Sequence, residues 1–202
     1  MSNGRRALLV LAIFAAGAFL QGGCLLTPRE PDGPPSEDDT PWETPNYTEA
    51  VLRNLRNAME YESTGNYSDC FTDDFRFHVD PSDSLDAGEE AEDRYADWTL
   101  DDETRYVQSI FPQAAEISLA LTQVQDDVPI TSQEDIYRQD DYELVVVWQS
   151  GDLTEEAVYK GRMTLYMRFR DTGTWAIYKW VDRRTSYPDY DTWGVLKGDF
   201  RG

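Results

Sequence analysis

The chain is short of cysteine, histidine and basic residues, and each shortage excludes a class of protein. Two cysteines among 202 residues cannot build a disulfide framework or a four-thiolate zinc site. The single histidine, His78, excludes histidine-rich metal sites and is the only residue through which a Ser-His-Asp triad could form. Lys and Arg number 18 against 39 Asp and Glu, so the net charge of −21 repels a nucleic acid backbone. We therefore expect no nucleic acid partner, and we predict no metal and no cofactor.

Residues 1–23 have the composition of a secretory signal. Arg5 and Arg6 carry the only side-chain charges in this segment. The apolar run that follows, Ala7–Leu20, has about 14 residues, fewer than the ~17–25 that a membrane-spanning helix needs. Small residues come next, as at a cleavage site. We interpret residues 1–23 as an export signal; the alternative is an uncleaved membrane anchor.

The stretch Leu20–Cys24 resembles the lipobox of bacterial lipoproteins, in which the cysteine becomes the first residue and receives lipid. Gly23 fits the position before Cys24, whereas Gln21 stands where the pattern prefers leucine. The resemblance implies that Cys24 is lipidated and that acyl chains hold the protein at the cell envelope. Because Leu25 rather than aspartate follows the cysteine, an enterobacterial-type sorting rule would imply the outer membrane.

The remaining chain divides into a tether, one domain and a tail. Residues 24–45 are rich in proline and acids, which keeps such a segment extended. Residues 46–184 carry the periodic patterns of a folded domain. In the tail, residues 185–202, the apolar residues Trp193, Leu196 and Phe200 are three and four apart. That spacing predicts a short helix that places an apolar edge on the sheet or on another chain.

Helical patterns come first in the domain. Apolar residues recur every fourth position between Asn46 and Thr64, which predicts a helix with Asn46 and Glu49 as its capping box and Gly65 as its stop. Two further helices are predicted at Glu89–Trp98 and, behind a Thr99 cap, at Leu100–Phe111.

From Ala115 onward, the hydrophobic period changes from that of a helix to that of a strand. We predict strands at Phe75–Val79, Ala115–Thr122, Tyr142–Trp148, Ala157–Arg170 and Trp175–Asp182, and a polar loop at Gln125–Gln139. The strand Ala157–Arg170 has one apolar face, with Met163, Leu165, Met167 and Phe169, and one basic face. This order predicts an α+β domain in which N-terminal helices pack on a curved antiparallel sheet.

This order of elements, closing on Gly173, Trp175, Ile177, Trp180 and Asp182, resembles the nuclear transport factor 2 and ketosteroid isomerase superfamily, SnoaL-like proteins included. The resemblance covers residues 46–184 and implies a cone-shaped, cystatin-like fold whose concave sheet and helices enclose a pocket. The superfamily contains isomerases, dehydratases and members that only bind or scaffold, so the fold does not decide the function.

The stretch His78–Pro81 resembles the end of the first strand in the isomerases, where an acid before proline is the proton-shuttling base. Carried over, the resemblance makes Asp80 a general base, with Tyr61, Tyr142 or Tyr159 as candidate donors to an oxyanion. The alternative is that Asp80 and Pro81 only turn the chain out of the strand.

Two charged groups allow both a binding and a passive interpretation. The acids of residues 80–103 match a solvated acidic face better than a calcium site, because the spacing of an EF-hand is absent. A basic strip is predicted from four residues of one strand: Lys160, Arg162, Arg168 and Arg170. The strip either binds an anionic partner or pairs with the acids of the same chain.

The leading hypothesis is a lipid-anchored envelope protein whose domain binds or scaffolds, without catalysis, a small apolar ligand or a protein partner. The first alternative is an enzyme of the isomerase or dehydratase type that uses Asp80. The second alternative is a dimeric structural protein of the envelope.

Overall fold

The computed structural model describes residues 40–86, 88, 94–130, 135–185 and 189–201. The predicted signal and nearly all of the predicted tether lie outside these residues, as does much of the predicted helix Glu89–Trp98. Within the described ranges, every helix is too short or too polar to cross a lipid bilayer.

The described residues form five α-helices and six strands. The helices are α1 (Thr48–Glu60), α2 (Thr64–Asp69), α3 (Pro81–Asp86), α4 (Leu100–Ile110) and α5 (Trp193–Asp199). The strands are β1 (Phe71–His78), β2 (Ala114–Gln123), β3 (Val128–Pro129), β4 (Asp135–Ser150), β5 (Leu153–Phe169) and β6 (Trp175–Arg183).

Helix α1 buries the apolar residues Val51, Leu52, Leu55 and Met59 of the predicted stripe, but its ends differ from the prediction. Its N-cap is Tyr47, which has no capping side-chain hydrogen bond, so the predicted Asn46 capping box is wrong. The helix ends at Glu60, and Glu62 takes a left-handed φ of 56° before α2 begins. Gly65 therefore lies inside α2 rather than ending α1.

Helix α4 begins as predicted. The Thr99 side chain accepts a hydrogen bond from the Asp102 backbone N–H, and the Asp102 side chain accepts one from the Thr99 backbone. This reciprocal pair satisfies two backbone donors that the start of a helix otherwise leaves unpaired.

The strands form one sheet in the order β1-β6-β5-β4-β2, with β3 beside β4. Four of the strand pairs are antiparallel, but β1 runs parallel to β6, so the sheet is mixed. The predicted α+β class is confirmed, and the predicted antiparallel sheet is corrected at this one pair. A hairpin forces two strands to be antiparallel, whereas β1 reaches β6 through the rest of the domain and is free of that constraint.

The predicted loop Gln125–Gln139 is partly strand in the residues that the structure describes. It contains β3 and the first five residues of β4, because Asp135–Gln139 pair with β5 from Arg168 to Thr164. The start of β4 escaped prediction because its buried residues, Arg138 and Asp140, are charged rather than apolar.

The core lies between the helices and one face of the sheet. Met163, Leu165 and Met167 of β5 are fully buried in the same cluster as Leu55 and Met59 of α1. Helix α1 contacts both β2 and β6, which are separated by β4 and β5, and a sheet must curve to reach one helix from both sides. The last residue of the predicted apolar face, Phe169, is 37% exposed at the strand end.

The C-terminal tail packs within the same compact unit as the rest of the described chain. Trp193 and Leu196 of α5 belong to the core, and the Phe200 ring stacks on Trp148 with 5.4 Å between ring centroids. The predicted helix therefore lays its apolar edge on this chain's own core.

Candidate functional site: the closed interior

The interior between the helices and the sheet contains an ion pair between Lys197 of α5 and Glu103 of α4. Lys197 Nζ contacts Glu103 Oε1, and both side chains are 0% exposed. Burying a charged group costs free energy unless the group is paired and hydrogen-bonded. Each of these two charges is therefore tolerated in the interior because the other is there.

Four aromatic rings surround the ammonium group. Their centroids lie 3.6 Å from Lys197 Nζ for Trp180, 4.2 Å for Phe77, 5.5 Å for Trp193 and 5.7 Å for Tyr106. The negative faces of such rings attract a cation, and the attraction is strongest where water is excluded. We call this arrangement the lysine cage: Lys197, Glu103, Trp180, Phe77, Trp193 and Tyr106.

The carboxylate of Glu103 is held from two further directions. The Tyr67 hydroxyl donates to Oε1 at 2.5 Å, and Trp98 Nε1 donates to Oε2 at 2.8 Å. Burial lowers the pKa of Lys197, while the neighbouring Glu103 opposes that shift. The pair is thus oriented by neutral donors and has no contact with solvent.

A second buried carboxylate, Asp182 of β6, fixes the start of α5. The backbone N–H of Gly194 donates to Oδ2 at 2.6 Å, and the Tyr142 hydroxyl donates to Oδ1 at 2.9 Å. The same hydroxyl accepts a hydrogen bond from the Trp193 N–H at 2.7 Å. Burial raises the pKa of Asp182 to about 6.

A third carboxylate, Asp83 of α3, holds the residue before α5. Thr192 Oγ1 donates to Asp83 Oδ2 at 2.6 Å, and Arg184 Nε donates to Asp83 Oδ1. Helix α5 is therefore attached to α3, α4 and β6 by buried polar contacts as well as by its apolar side. The space that the sheet and helices enclose is occupied by this chain's own C-terminal helix.

On the described part of the chain, three surface depressions include charged or polar side chains. One, of about 230 Å³, lies between α1 and the ends of β2 and β4 and includes Arg53, Arg56 and Arg138. In it, Arg138 is 5% exposed and donates to Asp140 at 2.8 and 3.1 Å. A second, of about 410 Å³, includes Lys160 and Glu143. The third, of about 450 Å³, is lined by Gln139, Arg162, Arg183, Arg184 and Thr185.

Asp80 lies at the turn from β1 into α3. Its Oδ1 accepts hydrogen bonds from the Ser82 N–H at 2.8 Å and the Ser82 hydroxyl at 2.6 Å, and its Oδ2 accepts one from the Arg184 N–H at 3.0 Å. Partial burial acts to raise the pKa of Asp80, but these hydrogen bonds outweigh it and leave the pKa below its ordinary value. These contacts match the turn interpretation.

None of the candidate tyrosines is among the hydrogen-bond partners of Asp80 in the described residues. Tyr61 caps the C-terminus of α1, where its N–H donates to the Asn57 carbonyl at 2.9 Å. The Tyr142 hydroxyl is bound to Asp182, and Tyr159 is half-buried on β5 beside the backbone of Asp191.

The four residues of the predicted basic strip contact groups of the same chain. Lys160 pairs with Glu143 at 2.6 Å and Arg162 with Asp141 at 2.7 Å. Arg168 Nη1 lies 3.1 Å from Asp74, and Arg170 donates to the Asp69 carbonyl at 3.3 Å. The strip is thus largely neutralised from within, which is the second of the two alternatives.

Two other sequence features have structural positions. Cys70 is buried, and burial raises the pKa of its thiol. In the described ranges, no group of three His, Cys, Asp or Glu side chains is placed to hold a metal ion. Part of the acidic segment, residues 87 and 89–93, lies outside those ranges.

Lys197 and Glu103, the centre of the closed interior, were not predicted as site residues. Glu103 stands in an acidic run that favoured solvent, and Lys197 lies in a segment taken for a tail. The one available signal was the spacing of Lys197 four residues after Trp193, which places both side chains on the same face of a helix.

Comparison with known proteins shows likeness at the level of the fold. No family model and no curated protein matches the chain. A solved structure of a conserved protein from Planctomyces limnophilus DSM 3776 matches with a TM-score of 0.51 and 16% identity, over 66% of this chain and 89% of that chain. This likeness agrees with the α+β architecture predicted from the sequence.

Proteins of the superfamily that the sequence resembles are also among the similar structures. A nuclear transport factor 2-like superfamily protein from Salmonella enterica has a TM-score of 0.48 and 10% identity, over 67% of this chain and 87% of that chain. A ketosteroid isomerase-like protein from Erwinia carotovora atroseptica has a TM-score of 0.48 and 14% identity, over 68% and 93%.

Proposed function

We propose that this chain is a non-catalytic binding domain, held at the bacterial cell envelope by lipid on Cys24, that recognises its ligand or partner at its surface. The observation that carries the proposal is the lysine cage, because Lys197 and its neighbours on α5 occupy the interior where an enclosed ligand would otherwise lie.

Opening this interior would be costly. Moving α5 would separate Lys197 from Glu103 and uncover Trp193 and Leu196, which are 0% and 1% exposed. Breaking a buried ion pair by removing one partner typically costs ~3–5 kcal/mol, and each large apolar side chain adds ~1.5–3 kcal/mol of lost burial. Binding of a small apolar ligand in the interior would have to offset the loss of the ion pair and the loss of apolar burial. Binding of a polar ligand at a surface depression would require neither loss.

The enzyme alternative receives less support from the geometry. A general base works best when its pKa lies near the working pH, but hydrogen bonds keep the pKa of Asp80 below its ordinary value. Its two oxygens are also bound to Ser82 and to the Arg184 backbone, which positions the turn.

Native mass spectrometry of the full chain, purified in a mild neutral detergent, tests the closed interior. We expect the wild-type chain to retain no stoichiometric apolar molecule. Leu196→Ala, which opens space beneath α5, serves as a matched control that can accept one. A stoichiometric apolar ligand in the wild type would refute the proposal, and light scattering on the same sample tests the dimeric alternative.

Metabolic labelling with radioactive palmitate tests the anchor separately. The wild-type chain should incorporate label and Cys24→Ser should not, with Cys70→Ser as the control that keeps Cys24. Incorporation that depends on Cys70, or none in the wild type, would contradict lipidation at Cys24.

A further inference from the structure

The depression of about 450 Å³ lined by Arg162, Arg183, Arg184, Gln139 and Thr185, which we call the arginine depression, concentrates positive charge on an acidic protein. Three arginines line it, and no Asp or Glu of the described residues does. Guanidinium groups present paired N–H donors that match carboxylate and phosphate oxygens.

The sheet places two of these arginines directly opposite each other. Arg162 of β5 and Arg183 of β6 are cross-strand partners, and like charges in that position destabilise a sheet. Asp141 compensates Arg162 through two hydrogen bonds, at 2.7 and 3.2 Å.

Arg183 is compensated only at longer range, by the Asp80 carboxylate, whose pKa it helps to lower. Arg183 is exposed, no carboxylate of the described residues forms an ion pair with it, and its guanidinium donates to the Asp182 carbonyl at 3.3 Å. An anion in the depression would supply a direct counter-charge, so the pairing of Arg162 with Arg183 favours a bound oxyanion.

The other lining groups give the depression a fixed wall. Arg184 is held by Asp83 and by the Tyr190 carbonyl, to which Nη1 donates at 3.2 Å. Gln139 Nε2 donates to Thr164 Oγ1 at 3.1 Å. The Thr185 hydroxyl has no hydrogen-bond partner in the part of the chain that the structure describes. Donors positioned in advance lose little freedom when an anion binds.

We propose that the arginine depression binds the oxyanion head group, a carboxylate or phosphate, of a small organic molecule. The proposal rests on the proposed function in one respect, since it names the surface where binding takes place. The volume lies in the range of ~300–1,000 Å³ typical of small-molecule sites. The net charge of −21 disfavours an anionic membrane surface as the source of the phosphate.

Isothermal titration of the full chain in neutral detergent tests the site, with phenyl phosphate and benzoate as oxyanion probes and phenol as the uncharged probe. We expect both oxyanions to bind, phenol not to bind, and affinity to fall as salt is raised. Arg183→Gln should weaken binding about tenfold or more, because it removes a charged donor.

Arg76→Gln is the matched control. Arg76 is likewise an exposed strand arginine whose guanidinium donates to the carbonyl of the preceding residue, Phe75. Its loss should leave affinity within about twofold, since surface arginines elsewhere contribute only general charge. Arg183→Gln should also keep or raise the unfolding temperature without anion, which separates loss of binding from loss of folding.

Three outcomes would overturn the site: absence of oxyanion binding, equal losses in Arg76→Gln and Arg183→Gln, or Arg183-dependent binding to phosphatidylglycerol vesicles without binding to phenyl phosphate. The retained-ligand measurement described above is independent of these results. If no oxyanion binds and the interior retains no apolar ligand, only the arginine depression is refuted. If the wild-type chain retains an apolar ligand, only the closed interior is refuted.

Discussion

Replacing Lys197 with methionine tests whether the buried ion pair holds the C-terminal helix in place. Methionine keeps much of the volume of the lysine stem but removes the charge, so Glu103 remains fully buried with only its two neutral donors. Removing one partner of a buried pair costs ~3–5 kcal/mol, a large share of the ~5–15 kcal/mol that stabilises a typical domain.

Urea unfolding followed by tryptophan fluorescence measures this loss. Because the free energy of unfolding falls by ~1–3 kcal/mol per molar urea, the urea concentration at the transition midpoint of Lys197→Met should be lower by at least about 1 M. Lys179→Met is the matched control, because Lys179 contacts one ring, Tyr166, at 4.9 Å on a half-buried face. Its loss should cost under about 1 kcal/mol.

A double variant, Lys197→Met with Glu103→Gln, completes the test. The neutral amide removes the unpaired charge and keeps one acceptor oxygen for Tyr67 or Trp98, so the double variant should be no less stable than Lys197→Met alone. The reasoning is refuted if Lys197→Met lies within about 1 kcal/mol of the wild type, or if the double variant loses the sum of what Lys197→Met and Glu103→Gln each lose alone.

Three further predictions concern contacts near α5 and α4. Burial raises the folded-state pKa of Asp182 from 3.8 to about 6, so the stability that its protonation provides is complete well below pH 4 and is lost as the pH rises through 6. Relative to Asp182→Asn, the wild type should lose ~2–2.5 kcal/mol between pH 4 and 7 in urea unfolding, and parallel curves would contradict the shift. Gly194→Ala should destabilise the domain by ~1–3 kcal/mol, because the added Cβ would lie 2.8 Å from Val79 Cγ2 and 3.0 Å from Asp182 Oδ2. The control Gly65→Ala in α2 places its Cβ within 4 Å of no other atom and should be neutral or stabilising. Equal unfolding temperatures of the two variants would count against this packing. Thr99→Ala should cost about 1 kcal/mol in the same unfolding assay through loss of the α4 capping box, and Thr99→Ser should recover most of it; a Ser variant as unstable as Ala would show that the hydroxyl is not what caps the helix.

Local chemistry predicted the elements whose signals lie in neighbouring residues. The Thr99 cap of α4 and the alternating apolar face of β5 were readable, because capping and pleating act over a few positions. The strand content of Gln125–Gln139 was missed, because Arg138 and Asp140 are buried as a pair, and their partnership is invisible in a hydrophobicity pattern.

By itself the sequence determined the class of the domain, helices on a curved sheet, because burial of one face imposes a periodicity that can be read along the chain. It also predicted the anchor at Cys24 and a binding role, which stay predictions. Only the tertiary structure decided that Lys197 and Glu103, 94 positions apart, meet inside four aromatic rings, and that Arg162 faces Arg183. Such pairings depend on strand register and on where α5 docks, and these follow from the packing of the whole domain rather than from any local stretch.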